Sequence, residues 1–261
     1  MKSNLAIVVQ SCDKYDDLWN GFYTLFFRYW KNCSYPIYHI TETKTCSYPG
    51  VITINTQNVT TWSDMLKYGL EKIKEDYVLY LLEDYFLIKP IDETRIEKAV
   101  EIVKKENAAC LRLVPVPGPD RDFKDYTDIG EISKNSAYSL STQASIWNKN
   151  ILENFILKGE TGWQFENQGS QRAKNISEVF LGIKSHSKTV ETGNYPYTYC
   201  CTAVYKGKWM REAIDLCKKE NITINTTIRP IETRFENFYR HNYSKSPQII
   251  KQILDIVKSK L

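Results

Sequence analysis

The stretch 76–90, DYVLYLLEDYFLIKP, constrains this chain more than any other. Tyr77–Leu82 is an unbroken apolar and aromatic run, the pattern of a strand covered on both faces. Two carboxylates follow at once, Glu83 and Asp84, and then a second apolar run, 85–88. Acids left dry and unpaired inside such a run would cost several kcal/mol. They are therefore placed where the strand leaves the core, at its carboxyl end, the edge at which open α/β sheets bind ligands. Hard oxygen donors at that edge suit a divalent metal held against a phosphate-bearing ligand. Adjacent side chains on an extended strand point to opposite faces, which predicts different surroundings for the two acids. The bland alternative is an exposed turn with two solvated carboxylates.

The residues before this stretch alternate strand with helix. Leu5–Gln10 is a short apolar run closed by Ser11, Cys12 and Asp13. Leu18, Trp19, Phe22, Leu25, Phe26 and Tyr29 then recur at spacings of three and four, which predicts a helix. Residues 36–40 and 51–54 are further strand candidates. Thr61-x-x-Asp64 opens a helix with Trp62, Leu66, Leu70 and Ile73 inside. Asp92 caps another, with Ile96, Ala99, Val100 and Val103 inside, and 110–114 is the next strand. This alternation predicts an α/β fold with a mostly parallel, Rossmann-like sheet flanked by helices.

The second half reads less regularly. Residues 115–120, PVPGPD, form a loop by their Pro and Gly content. Residues 138–145, YSLSTQAS, alternate like a strand, and 151–157 read as a helix. Residues 159–173, GETGWQFENQGSQRA, are polar without reading as a linker. A late strand is expected within 190–204, an amphipathic helix over 209–219, and a terminal helix over 249–257 with lysines opposite its apolar stripe. These elements give a C-terminal helical extension, 206–261, after a first half, 1–115, and a second, 116–205. With no repeat or low-complexity linker, the whole is expected to be one domain.

Composition excludes several classes. Apolar residues are 42% and charged residues 25% of 261, as in a globular chain and unlike a disordered or fibrous one. The net charge is +4, and residues 205–261 carry 12 Lys and Arg against 6 acids. That excess suits a phosphate-bearing ligand or an anionic membrane surface. With no nucleic-acid motif, nucleic acid is not expected as a partner. Eighteen Tyr and six Trp suit clefts for sugars or nucleobases, although codon bias alone can enrich Tyr. Seven cysteines, an odd number with no CxxC, speak against a disulfide framework and a zinc site. No apolar run reaches a signal peptide or the roughly 20 residues of a membrane span. The expectation is a cytoplasmic protein, with a peripheral contact at the inner face of the membrane open through the terminal helix's basic face.

Three segments taken in order, SCDKY after the first strand, VLYLLEDYFL, and WQFENQGSQR, carry a resemblance. The chain resembles a nucleotide-sugar-dependent glycosyltransferase of the GT-A fold, of the kind found with bacterial surface-polysaccharide machinery. The resemblance reaches to about Phe180. It implies transfer of a sugar from a nucleotide-sugar donor to a glycan or lipid-linked acceptor, by inversion in the first instance, with Mn²⁺ or Mg²⁺ as cofactor. In that family the strand-end acids form an Asp-x-Asp motif; here the order is Leu82-Glu83-Asp84-Tyr85. The resemblance makes Asp84 the metal ligand and Glu83 a donor-binding residue. It places Ser11, Cys12 and Asp13 against the nucleotide, a role Asp13 could share with capping the next helix. It makes Glu166 the base that deprotonates the acceptor hydroxyl, with Glu160 second, and sets Trp163 and Arg172 on the acceptor. His186 falls where some relatives place a late metal or phosphate ligand, although a lone His in a polar loop more often lies merely at the surface.

Two rival readings stand beside this one. A nucleotidyltransferase also uses metal-binding acids on such a sheet, but usually carries a Gly-rich loop where this chain has SCDKYDD. A non-catalytic glycan- or nucleotide-binding protein on a degenerate transferase fold is compatible with the altered acid motif.

Overall fold

The structure is a computed structural model and describes residues 4–136, 138–200 and 202–243. The chain divides into two compact units, 1–201 and 202–261. The first is built on a nine-stranded sheet. Its strands are β1 (Leu5–Gln10), β2 (Ile37–Thr41), β3 (Val51–Asn55), β4 (Tyr77–Leu82), β5 (Cys110–Arg112), β6 (Arg121–Asp122), β7 (Ile129–Ile132), β8 (Ser145–Asn148) and β9 (Phe180–Ile183). The spatial order is β3-β2-β1-β4-β8-β5-β9-β7-β6. Only β8 and β7 run against the rest, so the sheet is mostly parallel, as the strand–helix alternation implies.

The helices of this unit are α1 (Asp16–Tyr29), α2 (Trp62–Leu70), α3 (Glu93–Lys105), α4 (Lys149–Phe155) and α5 (Gly162–Arg172). Neighbouring residues of β2 show how they cover both faces. His39 packs its ring against Trp19 and Tyr23 of α1. Ile40 faces α2, where Gly69 lets the backbones approach: a Cβ at Gly69 would stand 2.2 Å from Ile40 Cδ1. Consecutive strand side chains point to opposite faces, so α1 and α2 lie on opposite sides of the sheet. The α2 face holds a hydrophobic core that joins Ala6, Val8, Val78, Tyr80, Trp147, Phe165 and Phe180. On β4, Val78, Leu79, Tyr80 and Leu81 are all buried, the two-sided burial that its apolar run predicts. Each such side chain contributes about 1.5–3 kcal/mol through its removal from water.

Several later expectations are corrected. Residues 138–145 are not a strand; extended pairing starts only at Ser145, because the backbone N–H groups of Leu140 and Thr142 donate to side chains of α5 instead of to a neighbouring strand. Among the described residues of 190–204 there is no strand before Val204, only an isolated bridge from Tyr199 to Leu87. Strands β7 and β9 were not legible, being four residues each. The polar 159–173 segment is helical. A capping box starts it: the Thr161 hydroxyl accepts from Gln164 N, and Gln164 Oε1 accepts from Thr161 N.

The second unit opens with a hairpin of β10 (Val204–Tyr205) and β11 (Lys208–Trp209), turned at Lys206 and Gly207, both with positive φ. Helices α6 (Arg211–Lys219) and α7 (Arg234–Tyr243) come next. Arg240 joins them by pairing with Glu212 and Glu232. The terminal helix expected over 249–257 lies outside the described residues.

Candidate functional site

Strand register assembles the site. Gln10 pairs with Ile40 on one side and Leu82 on the other. The next residue of each strand, Ser11, Thr41 and Glu83, therefore emerges side by side with the others at the carboxyl edge of β1, β2 and β4. Across β4, Tyr80 pairs with Ser145, and Ser145 with Arg112 of β5, so the segment entering β8 belongs to the same edge.

The acids themselves lie in a turn closed by a hydrogen bond from Tyr85 N to Leu82 O at 3.2 Å. Strand alternation therefore does not set their directions, which corrects the two-face expectation; the backbone has already left the extended state at Glu83. Their surroundings do differ. Glu83 is only 7% exposed, whereas Asp84 is half-buried. The Glu83 charge reaches the buried Tyr80 and the half-buried Cys12. Burial first, and then Glu83 and Glu42, push the Cys12 thiol up to about 11, so it stays protonated at neutral pH.

The Ser11–Asp13 loop is braced from several sides. Trp19 Nε1 donates to Ser11 Oγ at 2.8 Å. Asp13 heads a single 3-10 turn, and its carboxylate accepts from Thr41 Oγ1 (2.8 Å), Lys44 N (3.0 Å), Thr43 N (3.1 Å) and the Thr43 hydroxyl. Burial works against ionisation of Asp13, yet these bonds together hold its carboxyl well below the usual range. Its backbone N donates to Glu42 Oε2. Asp13 thus ties the β1–α1 loop to the β2–β3 loop, with its own oxygens occupied. Glu42 is a site residue that sequence reading missed; the signal was available, since it comes after IYHIT as Glu83 comes after YVLYLL. Gln10 was also missed. Its side-chain Nε2 donates to Trp62 O at 2.6 Å, and Tyr80 Oη donates to Gln10 Oε1 at 2.9 Å, fixing the start of α2 over the edge.

Glu166 reaches the same edge from α5. Its Oε1 accepts from Thr142 N at 2.7 Å, Thr142 Oγ1 at 2.9 Å and Ser141 Oγ at 3.2 Å. The carbonyl of Thr142 in turn accepts from Tyr85 Oη at 3.2 Å. One residue, Thr142, therefore links the Glu166 carboxylate to the turn that carries Asp84. Trp163, one turn earlier on α5, is 66% exposed. Glu160 and Arg172 have found each other: Arg172 Nη1 and Nη2 donate to the two Glu160 carboxylate oxygens at 2.7 and 2.9 Å, and Nη2 also donates to Phe155 O at 2.8 Å. With Glu160 N donating to Ser63 Oγ at 2.8 Å, this pair clasps α2, α4 and α5 together. Its groups are engaged in that clasp and do not sit beside Thr142 with Glu166. His186 is exposed beyond the end of β9, its ring stacked on Tyr195. Among the described residues no three His, Cys, Asp or Glu side chains converge to hold a metal ion. No described helix is long and apolar enough to cross a membrane, and no described cysteine forms a disulfide.

No family model matches the chain, and no curated protein matches it. Solved structures similar to it include residues 1–349 of Staphylococcus aureus TarS (10% identity, 70% of this chain and 58% of that one, TM-score 0.48). They also include a cytidylyltransferase from Leptospira borgpetersenii (10%, 88% and 98%, 0.44) and the bifunctional IspDF from Campylobacter jejuni (13%, 70% and 50%, 0.42). This chain thus spans less than two thirds of the TarS chain. Likenesses at 10–13% identity and TM-scores of 0.42–0.48 carry no conclusion on reaction, substrate or partner.

Proposed function

We propose that this chain transfers a sugar from a nucleotide-sugar donor to a hydroxyl of a glycan or lipid-linked acceptor, with inversion at the anomeric carbon. The observation that carries this reading is the Thr142 link, which sets the Glu166 carboxylate across from the Glu83–Asp84 turn on one sheet edge. In this reading the donor diphosphate lies along Ser11–Asp13 and the acid turn. Backbone groups of the braced Ser11–Cys12 segment meet the nucleotide, while Asp13 keeps the loop in shape. Trp163 offers its exposed indole face to the acceptor sugar. Glu166 takes the proton of the attacking hydroxyl as the oxygen bonds to the anomeric carbon and the nucleoside diphosphate departs from the opposite side. Glu160 and Arg172, consumed by each other, hold α5 at the height this requires.

The donor types at the turn, two neighbouring carboxylates, fit a hard cation such as Mg²⁺ or Mn²⁺, with Asp84 as ligand and Glu83 beside it; substrate phosphate oxygens would complete the set. Such an ion supplies charge neutralisation at the departing diphosphate. A surface-polysaccharide acceptor fits the resemblance and belongs to the same proposal.

The test is release of nucleoside diphosphate from a panel of sugar nucleotides by the purified chain, with and without Mn²⁺. Asp84→Ala is expected to lower metal-dependent release by about 100-fold or more while the unfolding transition stays in place. Absence of hydrolysis or transfer with every donor, together with absence of nucleoside diphosphate binding, would sink the proposal. Pyrophosphate release from a nucleoside triphosphate and a sugar phosphate would mark a nucleotidyltransferase instead.

A further inference from the structure

A polar cleft lies beside α5, between that helix and residues 135, 136 and 138. Its volume is about 270 Å³, and Asn135, Ser136, Tyr138, Asn167, Gln171 and Lys174 line it together with Ser170. Three side-chain amides, two hydroxyls, one phenol and the Lys174 ammonium, which donates to Gln171 Oε1, with no carboxylate among them, make a lining suited to hydroxyl-rich ligands.

The loop side of the cleft is built rigidly. Fully buried Arg112 donates to the carbonyls of Pro117 (2.6 Å), Tyr138 (3.1 Å) and Ser139 (3.2 Å). That grip holds Tyr138 at φ 57°, a left-handed conformation unusual for a bulky residue, and leaves the residue 41% exposed at the rim. On the helix side, Lys174 Nζ donates to Gln171 Oε1 at 2.7 Å, which leaves the Gln171 NH₂ group as a donor for a ligand. Asn167 Nδ2 donates to Trp163 O at 2.8 Å, which leaves the Asn167 carbonyl as an acceptor.

The cleft also continues the candidate site. Trp163, Asn167, Gln171 and Lys174 recur at i, i+4, i+8 and i+11, one stripe along the helix and its 3-10 extension, roughly 16 Å long at about 1.5 Å per residue. Ser170 at the cleft floor accepts from Leu140 N at 3.0 Å and donates to Glu166 O at 2.5 Å, so cleft and carboxylate share one turn of backbone.

We propose that this stripe and cleft bind the glycan part of the acceptor, holding a sugar unit beyond the one whose hydroxyl is attacked. The ligand class is an oligosaccharide, gripped by the amides and stacked on Tyr138 and Trp163. Its place in the reaction rests on the glycosyl-transfer reading; the binding itself does not.

The full chain is probed by saturation-transfer NMR with α- and β-linked disaccharides of glucose, galactose, N-acetylglucosamine and rhamnose. The measurement is repeated on Asn167→Ala/Gln171→Ala, both exposed helix positions, and on Tyr138→Gly, which suits the positive φ. The same samples are titrated with nucleoside diphosphates. Disaccharide binding that weakens at least tenfold in both variants is the expected result. Binding that is equal in wild type and variants overturns the proposal, as does the absence of binding by every disaccharide in a chain that still binds nucleoside diphosphate. Disaccharide binding lost in the variants, in a chain with no affinity for any nucleotide, upholds the cleft and removes the transferase reading.

Discussion

Acid should loosen the site through His39, and the size of the effect comes from its burial. The ring is wholly buried between Trp19 and Tyr23; Nδ1 shares a hydrogen bond with Tyr23 Oη at 2.9 Å, and Nε2 has no hydrogen-bond partner. Burial pulls its pKa down from 6.5 to about 3. The unfolded chain therefore takes up a proton below pH 6.5 that the folded chain refuses until near pH 3. More protons bound in the unfolded state means stability that is whole above pH 6.5 and falls as pH drops through this window. The slope is about 1.4 kcal/mol per pH unit, or about 2 kcal/mol lost by pH 5. The same ring backs Trp19, whose Nε1 holds Ser11, so the Ser11–Asp13 loop should loosen with it. The perturbation is His39→Phe, which keeps a ring and removes the titration. It removes the imidazole partner of the Tyr23 hydroxyl, which keeps its bond to Cys46, and so costs about 0.5–1.5 kcal/mol at every pH, an offset rather than a slope. Urea unfolding followed by tryptophan fluorescence, from pH 7.5 to 4.5, reads the difference. Wild type should lose stability faster than His39→Phe by roughly the slope above. Parallel curves would refute the argument, because they would mean His39 gains its proton as readily folded as unfolded.

Two further outcomes rest on side-chain geometry. Glu166→Gln keeps an oxygen to accept from Thr142 N but removes the proposed base, so kcat for the proposed transfer should fall by about 10²–10⁴-fold with the donor KM little changed; a fall below tenfold would place the base elsewhere. Glu160→Ala leaves the Arg172 guanidinium facing a buried gap and should cost about 3 kcal/mol in urea unfolding, the lower end for a buried pair because Arg172 is partly exposed, while Glu160→Leu/Arg172→Met should recover most of it; no recovery would show that the ionic clasp itself, rather than the stranded charge, sets the stability.

How far the sequence could be read changes along the chain. Up to Arg112 each strand was a separate apolar run and each helix had a spaced stripe, because parallel strands buried on both faces admit little else. After it the strands shorten to four residues or fewer, and such runs carry too little periodicity to distinguish a strand from a loop. The polar 138–145 segment alternates as a strand would, yet its backbone N–H groups at Leu140 and Thr142 donate to Ser170 and Glu166 of α5. Helix α5 itself was announced by Thr161-x-x-Gln164, a signal outweighed by the polarity of residues 166–172.

The sequence by itself determined that a dry strand ends in two acids where it leaves the core, since only there can Tyr77–Leu82 be buried while Glu83 and Asp84 meet solvent or a partner. Only the tertiary structure decided what stands beside them. Strand register brought Ser11, Thr41 and Glu83 level; Thr142 brought Glu166 across to the turn; and Arg172 took Glu160 away from it. Those contacts join residues well separated along the chain and are set by how packed elements meet, and local pattern holds no record of them.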